Sequence, residues 1–174
     1  MGRTRRFKLA RLKLRRGTVK VKLASPSDLD LVLDFLRSCS RDSIYARYGH
    51  AVSLFMRVAR RAVGMGGGWE LSLIALVEED GRERCVGLAE CNVDPVTLLG
   101  EVSVLISDEW QGTGLGLNML RLLLKLAKES GVTEVYGRVS LDNPRMVRLF
   151  KALGFRVRLS MENGEYRASL RLVD

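Results

Sequence analysis

Three glycines stand within five residues, at Gly112, Gly114 and Gly116, and a leucine-rich run with helical spacing follows at once. Before them, Glu101–Ser107 reads as a strand; after the helix, a second strand is expected over Glu134–Leu141. A strand, a glycine turn, a helix and a strand in so short a stretch specify one parallel pair of strands. Glycine costs up to ~1 kcal/mol against alanine inside a helix, so three at a helix mouth point to another need. The first amides of a helix are unpaired and carry partial positive charge. Without side chains over them, a phosphate can reach them. The other reading is a plain tight turn.

Two common phosphate patterns do not fit. Gly116 is followed by Leu117 and Asn118, so the Gly-Lys-Ser/Thr of a P-loop is missing. The spacing G-x-G-x-G late in the chain is not the G-x-G-x-x-G of a first βαβ dinucleotide unit.

The rest of the chain sets the frame. Leu12–Arg15 and Val19–Leu23 alternate apolar and basic residues around Gly17 and predict a hairpin of outer strands. Ser25, Pro26 and Asp28 open one helix, and Ser40 caps a second that runs towards the break at Gly64–Gly68. Strands are expected over Leu71–Glu78 and Cys85–Val93, a helix from Pro144 to Gly154, and a final hairpin of Arg156–Met161 with Tyr166–Val173. This order predicts a single α+β domain, with helices flanking one mixed central sheet, over residues 18–174. Residues 1–17 form a basic arm and outer strand.

Charge is unevenly spread. Residues 1–20 carry nine Lys and Arg and no acid, whereas the remainder balances at 20 bases against 20 acids. Such an arm suits contact with nucleic acid, acidic lipid or an acidic protein, or serves only as a solubilising flank. No apolar run approaches the ~20 residues of a bilayer span, and no signal-type hydrophobic region follows the basic start. Cys39, Cys85 and Cys91 form no CxxC pair, so a reduced, cytoplasmic setting is expected, with Cys85 and Cys91 as core residues. A lone His50 with scattered cysteines offers no metal site. Scarce Asn and Gln lean towards a thermophile.

Gln111-Gly112-Thr113-Gly114-Leu115-Gly116 matches Q/R-x-x-G-x-G/A and resembles the pyrophosphate loop of the GNAT acyltransferases. "DNPRMVRLFKALGF" (142–155) resembles that family's second signature, and the element order is similar over about residues 18–173. "SCSRDSIYARY" (38–48) resembles the Pat-like protein lysine acetyltransferases within it. The resemblance implies the GNAT fold and acetyl-CoA as donor. It implies that Gln111 and the amides from Gly112 to Leu117 hold the pyrophosphate, and that Leu105 and Ile106 pair with the pantetheine arm. The Ile106 amide would act as an oxyanion donor, and the next strand would have to splay away. Asn143 would reach the same arm besides capping its helix. Tyr45, Arg47 and Tyr48 are candidate acceptor contacts or ordinary helix packing.

Transfer to a lysine needs a base, because its reference pKa is ~10.4. Glu90 and Glu101 each interrupt an apolar strand, and such carboxylates are rare without a purpose. Glu101, ten residues before Gln111, matches the family's usual glutamate. Phe150 stands where the family often carries a thiolate-protonating tyrosine, so another group or water protonates the thiolate, or CoA leaves as the thiolate; Tyr136 and Tyr45 are possible donors. The expected acceptor is a lysine on a protein, of the acyl-CoA synthetase or nucleoid kind that the Pat-like resemblance implies. A small amine, a protein N-terminus, or a non-catalytic acetyl-CoA-sensing or nucleic-acid-binding module are the alternatives.

Overall fold

The structure is a computed structural model that describes residues 9–49 and 54–173. Expectations about His50 and the first eight residues lie outside the described residues. Eight strands form one sheet: β1 Ala10–Leu14, β2 Gly17–Leu23, β3 Trp69–Glu79, β4 Arg82–Val93, β5 Leu99–Ile106, β6 Glu134–Ser140, β7 Arg156–Ser160 and β8 Glu165–Arg171. Their order is β1-β2-β3-β4-β5-β6-β8-β7. Every neighbouring pair is antiparallel except β5 and β6, the pair joined by the helix after the glycines. β1 pairs with β2 along its whole length, the outer hairpin expected around Gly17, with β1 beginning at Ala10.

The helices are α1 Leu29–Ser38, α2 Arg41–Tyr48, α3 Phe55–Ala62, α4 Leu115–Glu129 and α5 Pro144–Ala152. Where one helix was expected after Ser40 there are two. Gly49 ends α2 at φ +65°, a conformation that interrupts a right-handed helix. The Ser25 opening is realised as a 3-10 turn, Pro26–Asp28, with a capping box before α1 begins.

The two faces of the sheet carry separate cores. Phe35, Leu36, Ile44, Val58 and Ala59 from α1–α3 pack against Ile74, Leu88 and Leu105. On the other face, Leu115, Met119, Leu120, Leu123 and Ala127 of α4, with Phe150 of α5, pack against Ala89, Cys91, Val102 and Val135. The α4 residues recur at helical spacing, which is why that helix lies flat on the sheet. Gly154 turns the chain at φ +87°, and Phe155 then packs its ring 4.7 Å from that of Phe150. Cys85 and Cys91 are core residues, and burial pushes both thiols up to about 12.

The junction of β5 and β6 positions the site. Their register covers only Leu99–Glu134, Gly100–Val135 and Glu101–Tyr136. Beyond Glu101 the strands part, and a wedge opens towards the mouth of α4.

Candidate active site

Gly112 and Gly114 sit at φ +73° and +89°, where any side chain is strained, so these two positions require glycine for the turn itself. The first helical amide to find a carbonyl is Asn118, on Gly114 O at 3.1 Å. The amides of Leu115, Gly116 and Leu117 precede it and have no helical acceptor. A Cβ built on Gly112 would meet only the tip of Arg145, at 3.8 Å, so the approach is open and a cation stands beside it. These residues fit a pyrophosphate: bare amides, a helix's positive end and a guanidinium. Thr113 turns inward instead, its hydroxyl donating to Trp110 O at 2.5 Å.

The wall of the wedge follows from the ladder between β4 and β5. Ser107 N donates to Val86 O at 2.9 Å, which sets the alternation of an antiparallel pair. Leu105 therefore spends its amide and carbonyl on β4, and its side chain lies in the α1–α3 core. The backbone groups that face the wedge belong to Val104 and Ile106, so Leu105, expected to face it, does not, and Val104 does. Ile106 O already accepts from Gln111 Nε2 at 3.1 Å, which leaves its amide as the free group.

Gln111 ties the loop to both sides of the sheet. Its Nε2 donates to Ser43 Oγ at 2.9 Å, and its Oε1 accepts from Arg145 at 3.3 Å. Asp108 joins the same knot: it accepts from Ser40 N and Ser40 Oγ at 2.8 Å and from Ser43 Oγ at 2.6 Å. Burial alone would raise the Asp108 carboxyl, but the bonds from Ser43 and Ser40 outweigh it and hold the group below its ordinary value. A lowered native value contributes stability that is present above the unfolded value and lost as pH falls through the folded one. Wild type is therefore expected to lose more stability than Asp108→Asn between pH ~6 and pH ~3, a window that brackets the ordinary aspartate value. Denaturant midpoints at the two pH values test this; equal losses refute it.

The two candidate carboxylates share the α1–α3 face of the sheet but not an environment. Glu90 is 1% exposed. It lies between Ser72 and Ser103 on the neighbouring strands, with Arg47 of α2 at 3.4 Å and Arg61 of α3 at 3.7 Å. Burial pushes its carboxyl up, and the two guanidinium groups pull against that. Arg47 also donates to Ser103 Oγ at 2.5 Å and stacks 4.5 Å from the centre of the Tyr48 ring. Tyr48 is itself packed against that core, and burial pushes its hydroxyl well above the ordinary tyrosine value. Arg47 and Tyr48 thus anchor α2, whereas Tyr45 is 54% exposed.

Glu101 sits at the last paired position before the wedge, with its side chain 32% exposed. Tyr136 donates to its Oε2 at 3.2 Å and Arg138 to its Oε1 at 3.1 Å. Of the two carboxylates, this one meets both the opening and solvent. Asn143 caps α5, accepting from Met146 N at 3.2 Å through Oδ1. Phe150, expected to line the donor site, is 1% exposed. Its ring fills the space where Gly137 has no Cβ; one built there would lie 2.3 Å from the ring. Ser103, Arg61, Asp108, Ser43 and Arg145 were missed by sequence reasoning. Their partners lie on other elements, and only the strand register or the helix packing brings them together.

The family model for the acetyltransferase (GNAT) family matches residues 61–155. An acetyltransferase of Pseudomonas aeruginosa is 35% identical over 85 residues, which is 49% of this chain and 46% of that protein, so the match spans about half of the relative's length. The GNAT domain of S. lividans PAT superposes with a TM-score of 0.78 at 21% identity, over 94% of this chain and 96% of that domain. A spermidine N-acetyltransferase from Vibrio cholerae, in complex with CoA and spermine, superposes at 0.66 with 17% identity, over 88% and 95% of the two chains. At these identities the two structures show a shared fold.

Proposed function

The chain belongs to the acetyltransferase (GNAT) family, and from that premise we propose that it transfers the acetyl group of acetyl-CoA to a lysine side chain of a protein. The observation that carries the reading is the alignment of three features along one cleft: the wedge between β5 and β6, the bare amides of α4 towards which it opens, and the Glu101 carboxylate at its closed end. When bound, acetyl-CoA supplies an acetyl group activated as a thioester. Leu115, Gly116 and Leu117 hold its pyrophosphate through their amides, with Arg145 adding charge. Val104 and Ile106 present backbone groups to the pantetheine arm, and Asn143, just after β6, reaches towards the same arm. The Ile106 amide is the donor available to an oxyanion. Glu101 removes the proton from the incoming ammonium, directly or through water. The Tyr136 hydroxyl and the Arg138 guanidinium hold that carboxylate in place. Glu90 fastens α2 and α3 to the sheet and takes no proton from substrate.

The choice of lysine rests on the Pat-like stretch "SCSRDSIYARY", whose Ser40 and Ser43 bond to Asp108 beside the glycine loop. In this reading the basic residues 1–8 act on encounter with an acidic target and not on chemistry. The test offers labelled acetyl-CoA with cell-extract protein, a peptide N-terminus and spermidine, and uses full-length chain and chain lacking residues 1–8. Label is expected on protein lysines. The shortened chain should be slower at low salt and equal at high salt, because exposed charges are screened over ~8 Å at physiological ionic strength. Label on spermidine alone would sink the lysine reading, and equal rates at low salt would reduce the arm to a flank.

A further inference from the structure

Helices α1–α3 cover β3, β4 and β5, and the same face of the sheet continues past them over β6, β8 and β7. There the register sets Arg138 of β6 opposite Arg167 of β8, and Arg167 opposite Arg158 of β7. Three arginines thus leave one face in a row across three adjacent strands, and all three are exposed. Arg156 adds a fourth cation two residues along β7. Arg138 is bonded to Glu101, and Arg167 stacks over the Tyr136 ring with 4.1 Å to its centre. Arg158 and Arg167 have no ion pair among the described residues. Like charges directly opposite one another destabilise a sheet. Glu101 offsets Arg138 and the Tyr136 ring takes up Arg167, but Arg158 has no such partner among the described residues, and the row as a whole keeps more positive charge than its neighbours neutralise, which marks a candidate functional surface.

We propose that the arginine row is the recognition surface for acidic residues flanking the acceptor lysine. The inference rests on the acetyl-transfer reading above, because Glu101 marks where the amine arrives and Arg138 begins the row at that carboxylate. Guanidinium forks match carboxylates in a bidentate way. The row crosses two strand spacings, about 10 Å, and an extended peptide advances about 3.3 Å per residue. It therefore reads Asp or Glu within about three positions of the lysine. A nucleic-acid backbone suits it less well. The row is short, and Glu101 beside Arg138 and Glu165 two residues from Arg167 on β8 interrupt the continuous positive track that a run of phosphates would follow.

The test is fluorescence anisotropy with short peptides holding one central lysine between Glu flanks or Gln flanks, and with a DNA duplex as a third probe. The proteins are wild type and R156Q/R158Q, whose substitutions touch neither Glu101 nor the glycine loop. Wild type is expected to bind the Glu-flanked peptide roughly 3- to 10-fold more tightly at low salt, as one or two exposed charge pairs allow. R156Q/R158Q should lose that preference and acetylate the Gln-flanked peptide at the wild-type rate. Equal affinities for the two peptides in wild type, or an unchanged preference in the variant, would overturn the proposal. So would tighter binding of the duplex that the variant loses, which would assign the row to nucleic acid. Binding as expected with no peptide acetylated, while spermidine is, would sink the lysine reading and leave the surface standing.

Discussion

Glu101→Gln is expected to lower turnover by roughly 10²–10⁴ near neutral pH and to leave acetyl-CoA affinity unchanged. A lysine has a reference pKa of ~10.4, so at pH 7 almost all of the acceptor is protonated. Glutamine keeps the size of the side chain and can accept the Arg138 bond through its oxygen while its nitrogen donates to the Tyr136 hydroxyl, but it cannot take a proton. Glu101 is half-buried at the point where β5 and β6 part, which gives an incoming amine a route to it. Glu90 has no such route: its carboxylate is 2% exposed and sits beneath two arginines. Glu90→Gln is therefore expected to act on stability, since it leaves Arg47 and Arg61 without their shared counter-charge. Steady-state kinetics paired with calorimetric affinities separate the two roles. A folded Glu90→Gln enzyme that has lost turnover beside an active Glu101→Gln enzyme would reverse the assignment.

Gly114→Glu is expected to weaken acetyl-CoA binding by about 10²-fold or more. Hydrogen bonds to a charged group contribute about 1.5–3 kcal/mol each, and the new carboxylate would deny the pyrophosphate at least one amide while repelling it. The backbone at Gly114 has φ +89°, so part of the damage comes from strain alone. Gly114→Ala isolates that part, about 1–2 kcal/mol against the fold, and should weaken binding far less. Calorimetry on both variants, with circular dichroism as the check on folding, measures the difference. Wild-type affinity in a folded Gly114→Glu protein would show that the pyrophosphate lies elsewhere.

The strands and the long helix were legible because their hydrophobic period is strong and their ends are punctuated. Gly131 and Gly154 stop α4 and α5, and Ser40 and Asn143 cap α2 and α5 as read. The break at Gly49 was not legible, since one glycine in an otherwise helical pattern is tolerated as often as it ends a helix. The parallel pair followed from chain order. The identity of the wedge-facing residues did not, because the difference between Leu105 and Val104 is one step in a ladder whose phase is set by Ser107 and Val86. The roles of Arg47 and Tyr48 were open for a similar reason. Sequence placed them on a helix but could not show that Glu90, 43 positions away, would claim the guanidinium.

The side chain at position 111 gives through its nitrogen to Ser43 and Ile106 O, and receives through its oxygen from Arg145. An amide does both from one planar group. A glutamate there would meet Arg145 well and offer nothing to the other two; a lysine or arginine would reverse the deficit and set two cations side by side. Positions 43, 111 and 145 are therefore not free to drift one at a time. An arginine at 111, which the loop pattern itself permits, would take the acceptor away from Arg145 and set a second cation beside it. The three positions thus act as one unit, although they belong to a helix on one side of the sheet, a loop at its end and a helix on the other side.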